Sequence, residues 1–395
     1  MKRELRYALG ILALAFAAVL PAPAGSPAAT ESAAEKRDPC ALAEAQSEGG
    51  IGGTGVTANA GGIGGTGIVG TITGFASVCI NGVEVHYGDA TPVTINGVPA
   101  GVDQLAIGQQ AAIEAASDKS GLSARSVALL YAVIGPLERA EPALGRLSVL
   151  GQNALLRAPT LVVDTAGKQH PVTALQTGDW IRVSGLRAAS GAILATRIER
   201  VPVQAQVSLI GDVTQLDAGG FWINGVRIHV LDANIMRGLT RGRQVLVTGV
   251  HESGAIRASS VRTDPALSFR PAVRRLLLEG LVADHASGDG FRLGAVMIAL
   301  DATTRYTGGA AGSLKREQRV IVYARVANDG AVIAESVLFM REPTATPTAG
   351  AALPANAGRE IADPARRRAP VSLPDGFERP GAGARPPGNA APGRR

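Results

Sequence analysis

Between residues 68 and 342, apolar and polar side chains alternate in short runs. In "WIRVSG", Ile181 and Val183 alternate with Arg182 and Ser184. In "RQVLVTG", Val245 and Val247 flank Leu246, a less regular case. A period of two puts successive side chains on opposite faces of a strand, one buried and one wet. Asn-Gly pairs sit between such runs, at Asn81-Gly82 in "VCINGVEVH" and Asn224-Gly225 in "FWINGVRIH". They predict two-residue hairpins, because both residues tolerate the positive φ of a type I′ turn.

One plan recurs four times. A strand opens near a glycine: "GTIT" at Gly70, "GRLSV" at Gly145, "GDVTQL" at Gly211, "GLVAD" at Gly280. The hairpin follows, degraded to "NALLRAPTLVV" in the second copy and "FRLGAVMIA" in the fourth. Asp-Ala pairs stand at Asp89, Asp232 and Asp301. A fourth strand follows Leu105, Leu175, Leu239 and Leu314, which lie 70, 64 and 75 residues apart. A last strand starts at Gly121, Gly191, Gly254 and Gly330. Five short antiparallel strands with one buried face close most economically into a small barrel, which removes exposed edges. The expected fold is therefore all-β: tandem five-stranded OB-like barrels at 68–138, 143–203, 207–265 and 276–342. Such small cores bury little, so contacts between neighbours are expected to help.

Residues 25–67 and 343–395 carry few bulky apolar side chains. They are expected to form a flexible Gly-rich leader and a disordered Pro/Arg-rich tail, unable to offset chain entropy. The leader contains G-x-G-x-x-G at Gly50, Gly52 and Gly55. A phosphate-binding version needs a strand before it and a helix N-terminus after it. Here Ala- and Glu-rich "CALAEAQSEG" precedes and "VTANAGG" follows, so no nucleotide or other cofactor is expected.

Composition changes the picture in two places. Lys2, Arg3 and Arg6 precede an apolar run from Ala8 to Leu20, then small-x-small Ala22-Pro23-Ala24. This reads as a signal peptide over 1–24, with no transmembrane segment left after cleavage and a periplasmic or extracellular destination. In an oxidising compartment the two cysteines, Cys40 and Cys79, are read as a disulfide; two free thiols are the alternative. Cys79 has the opposite parity to Val78 and Ile80, so it is expected on the barrel's outside, pinning the leader there. The net charge of +6 sits mainly in the first thirty residues and the tail, leaving about +1 for residues 41–342. Nucleic acid is therefore not an expected partner. The first repeat carries about −4 and the second about +4, a pattern suited to docking of neighbours.

Candidate chemistry is sparse. The five histidines, His86, His170, His229, His251 and His285, are spread along the chain, and a metal site needs three or four converging ligands. No metal site and no catalytic residue is expected. The recurring aspartates are read as turn caps. Aromatic residues that could serve as platforms are Phe221, Trp222, Trp180 and Tyr323. Aromatic and basic residues coincide in the third repeat, where Trp222, Arg227, Arg241 and Arg243 form the candidate ligand surface.

"GGIGGTGI…GTITGFASVCINGVEVH…DAT" and the tail "DGFERPGAGARPPG" resemble the bacterial family known as domain of unknown function 5666, most closely over residues 49–135. The resemblance implies an exported, OB-like protein and assigns no activity. The expected function is a non-enzymatic envelope protein that binds or scaffolds an envelope protein or glycan. The alternative is an OB-type ligand-binding array for oligosaccharide or single-stranded nucleic acid, centred on repeat three.

Overall fold

The computed structural model describes Cys40 and residues 65–75, 77–118, 121–286 and 289–340. The expected signal peptide, most of the leader and the tail lie outside these residues.

Four closed barrels share one wiring. The first has β1 (Thr66–Phe75), β2 (Val78–Ile80) and β3 (Val83–His86), then an added hairpin of β4 (Val93–Ile95) and β5 (Val98–Ala100), then β6 (Gln110–Asp118) and β7 (Gly121–Leu129). The second has β8 (Val133–Glu141), β9 (Arg146–Val149), β10 (Gln152–Val163), β11 (Trp180–Arg187) and β12 (Ile193–Arg200). The third has β13 (Val207–Asp217), β14 (Gly220–Ile223), β15 (Val226–His229), a short helix α1 (Ala233–Met236), β16 (Gln244–Glu252) and β17 (Ala255–Thr263). The fourth has β18 (Arg275–Ala286), β19 (Gly290–Leu293), β20 (Val296–Ala299), β21 (Arg305–Thr307), β22 (Arg319–Val326) and β23 (Val332–Phe339). In each, the first strand pairs with the second, the second with the third, the third runs parallel to the last, and the fourth closes onto the first. Barrels three and four repeat this order. This is the OB-type barrel expected from the alternation.

The recurrence has a physical cause at three positions. Gly70, Gly135, Gly211 and Gly280 sit mid-way along the four first strands, where an added Cβ would press into Asn81, Leu150, Ile223 and Leu293 of the following hairpin. Just beyond each, the first strand carries a bulge, which coils it enough to close so small a barrel. Three residues after each anchoring leucine the chain turns left-handed, at Gly108, Gly178, Gly242 and, in the fourth copy, Glu317. There a reciprocal amide pair ties the turn to the first strand, as in Gly108 N–H to Ile72 O and Ile72 N–H to Gln109 O. Glu317 holds its positive φ of 67° while its carboxylate accepts from Ala189 N–H of barrel two at 2.9 Å.

Two expectations need correction. The second barrel opens at Val133, not at residue 143, and "GRLSV" is its second strand. Pro136 and Gly135 break the alternation of the true opening strand and hid it. The leader does not run to residue 67, because β1 already begins at Thr66. Gly67 is a strand residue whose missing Cβ lets the Phe269 ring approach. The expected contacts between neighbouring barrels are present, and barrels distant in sequence also join. Barrel one joins barrel four through parallel pairing of β1 with β18, Thr66↔Arg275 to Val69↔Leu278. Barrel two joins barrel three through β8 and β13, at Ile134↔Ser208 and Val133↔Leu209. One hydrophobic core runs through barrels two and three. The core of barrel one takes in Leu277, Ile321 and Met340 of barrel four.

Candidate functional site

The β14–β15 hairpin carries the surface read from the sequence. Register places Trp222 opposite Arg227, and the Arg227 guanidinium stacks 5.5 Å from the Trp222 ring centroid. Asp217, at the end of β13, takes both guanidinium nitrogens, at 2.5 and 2.6 Å. That bidentate hydrogen bond holds the Asp217 carboxyl below its usual pKa range. Arg227 is therefore neutralised and committed to its own barrel. Arg243 pairs with Asp264, Arg241 is exposed, and among the described residues no bond or ring contact joins either to Trp222. The four residues do not form one cluster. Of the other aromatics, Phe221 is core, and Trp180 and Tyr323 are partly buried against cores.

On the first barrel the position equivalent to Trp222 is Cys79, paired in register with Glu84. Cys79 is bonded to Cys40, and both are buried. Val78 and Ile80 belong to the core cluster and Cys79 does not, so the bond lies on the barrel's outer side, as parity indicated.

Asp232 and Asp301 accept backbone N–H bonds from Asn234 and Thr303, at 2.8 Å each, which is the capping role expected of them. His170 and Asp164 lie 2.9 Å apart, and His86 sits 2.9 Å from Ser77 Oγ. The side chain of His285 lies outside what the structure describes. Among the described residues no three His, Cys, Asp or Glu side chains converge as a metal site would require. No described helix is long and apolar enough to cross a membrane.

The seams between barrels hold chemistry that sequence reasoning missed. Glu279 of β18 is buried; its Oε2 accepts from Thr71 N–H at 2.6 Å and Thr71 Oγ1 at 2.8 Å, and its Oε1 pairs with Arg319. The available signal was a lone acid inside the apolar run "LLLEGLV". At the seam of barrels one and two, Tyr131 is wholly buried. Its hydroxyl accepts from Gln109 at 2.8 Å, and Arg182 stacks 5.5 Å from its ring. Burial, then Glu199, pushes the Tyr131 hydroxyl pKa up. Between barrels two and three, Arg187 donates to Ile210 O, Gly191 O and Gln152 Oε1. Burial pushes its guanidinium pKa down to about 10, opposed by Asp212.

Burial raises the Asp212 carboxyl pKa, against the pull of Arg187 and Arg292, and its Oδ1 has no hydrogen-bond partner. An acid with a higher pKa folded than unfolded holds more protons in the folded state. Its contribution to stability therefore falls as pH rises through the unfolded value toward the folded one. Asp212→Asn is expected to melt higher than the parent at neutral pH. The advantage should fade below about pH 4, where both states are protonated. Paired thermal melts check this; a variant that melts lower at neutral pH means that attraction to Arg187 outweighs desolvation.

No curated protein matches the chain. A solved structure titled "drosophila Unr CSD456" is 17% identical, with 53% of this chain and 96% of that chain covered at a TM-score of 0.14, too low to carry an argument. Two segments, residues 135–199 and 279–337, match the family model of DUF5666, a domain of unknown function. These are the second and fourth repeats, whereas the motifs that resemble the family most closely lie over residues 49–135. Each match opens at or beside a glycine of a first strand and closes in the last strand of the same barrel, so the similarity to DUF5666 falls on the second and fourth barrels.

Proposed function

We propose that this chain is an exported, non-enzymatic protein of the cell envelope whose four barrels form one binding or scaffolding block. One observation carries the reading: the residues that recur are used up by the module's shape. The mid-strand glycines, the left-handed turns and the reciprocal amide pairs all set barrel geometry. A catalytic group is needed once, whereas a shape-setting group is needed in every copy. The polar side chains that differ between copies, Glu279, Arg187 and Tyr131, are hydrogen-bonded at seams. A locked block presents its hairpin faces in fixed orientation, which suits recognition of an envelope protein or glycan. The Cys40–Cys79 bond suits an oxidising compartment. N-terminal sequencing of the mature protein tests export, with loss of residues 1–24 as the expected result.

A second reading, an OB-type array for oligosaccharide or single-stranded nucleic acid, draws on the Trp222–Arg227 stack. Since Asp217 neutralises Arg227, that surface favours sugars over nucleic acid. Tryptophan fluorescence against glycan and single-strand panels separates the two. No shift is the expected result; a saturable shift that is lost in Trp222→Leu would replace the first reading with the second.

A further inference from the structure

A cavity of about 340 Å³ opens between the β9–β10 hairpin and the β11–β12 turn of barrel two and the β14–β15 turn of barrel three. Its polar lining is Arg146, Gln152, Asn153, Ser190 and Asn224, with no carboxylate among the lining residues. Gln152 is 1% exposed, and its Nε2 has no hydrogen-bond partner. The orientation of that amide is fixed by chemistry. Arg187 Nη1 reaches Gln152 Oε1 at 3.0 Å, and a guanidinium can only donate. The oxygen must therefore face Arg187, which leaves the amide N–H groups over. Asn224 Nδ2, across the seam, is also buried and unpartnered. Leaving such buried donors unmet is costly, so the site calls for an acceptor. Asp212 faces Arg187 behind Gln152, and the Glu138 carboxylate is bound to Gly151 N–H at 2.9 Å, so the positive charge that an anion meets at the lining is the exposed Arg146. The volume lies at the small end of ligand pockets.

We propose that this cavity binds a small carboxylic acid of sugar-acid size, its carboxylate held by Gln152 Nε2 and Asn224 Nδ2 with Arg146 alongside. The proposal deepens the binding reading above by naming a ligand class. The test is calorimetric titration of the full chain with D-glucuronate and D-galacturonate, with D-glucose as the uncharged control. Saturable binding of at least one acid is expected, with glucose weaker by about tenfold or more. Gln152→Met, which keeps the shape without the donor, should weaken the acid by a similar factor. Because that change also removes a partner of Arg187, exposed Arg146→Ala serves as the second variant. It should weaken the acid while leaving the melting temperature unchanged. Absence of saturable heat with both acids means that water alone fills the cavity, and overturns the proposal. So does equal binding of glucose, or binding indifferent to both substitutions. Mass spectrometry of the recovered acid keeps the two readings apart: an acid bound and returned unaltered supports both, whereas a converted acid retains the site and rejects the non-enzymatic reading.

Discussion

Glu279→Ala is expected to destabilise the folded chain by about 3–5 kcal/mol, the usual cost of removing one partner from a buried ion pair. The carboxylate side chain is 2% exposed and collects Arg319 from its own barrel and both Thr71 donors from barrel one. Without it, a guanidinium loses its partner and a buried backbone N–H loses its acceptor. Arg319 is the second half of the test. Glu279→Leu with Arg319→Met removes both charges together and should recover part of the loss, because the remaining cost is only Thr71. Chemical denaturation of the three proteins decides it. A single variant within about 1 kcal/mol of the parent would mean that the pair is solvated and does not weld barrel one to barrel four.

Asn96→Ala is expected to cost about 3 kcal/mol, from three buried hydrogen bonds and a strained turn. Asn96 heads the hairpin that only the first barrel carries among the described residues. Its Oδ1 accepts from Tyr131 N–H at 2.9 Å, and its Nδ2 donates to Tyr131 O at 3.0 Å and to Ser208 Oγ at 2.7 Å. Two barrels and a connection meet on one side chain: the hairpin of barrel one, the segment leading to barrel two, and β13 of barrel three. Asn96 also holds φ at 46°, where alanine is strained and glycine is not. Asn96→Gly should therefore lose the hydrogen bonds but melt above Asn96→Ala, the gap reporting about 1 kcal/mol of backbone strain. Identical melts for the two variants would show that the turn carries no such strain.

The candidate surface was legible only in part. Trp222 and Arg227 were readable as neighbours, because an Asn-Gly hairpin fixes its own register and the two residues between the strands suffice to pair them. Asp217 was not, because a bulge in β13 shifts the register that would have predicted its position. Arg241 and Arg243 looked close in number but leave on a loop before β16, so proximity in sequence did not become proximity in space. Asn96-Gly97 carries the same hairpin signal as Asn81-Gly82 but falls outside the five-strand plan. Gln152 gave no signal at all. Its donor matters only because Arg187, 35 residues later, occupies its oxygen.

The chain by itself determined the module: period two, Asn-Gly turns and glycines at fixed places dictate a small closed barrel, and these are interactions between residues close in sequence. Parity also determined the outward side of Cys79. Which barrels touch was decided only in three dimensions. First strands that pair in parallel, as Thr66–Val69 with Arg275–Leu278, share no turn and leave no local mark. The buried charge that locks barrel one to barrel four joins surfaces far apart in sequence, Thr71 and Glu279 at a separation of 208. Alternation reports which side of a strand is wet in an isolated barrel, and docking then buries part of that wet side.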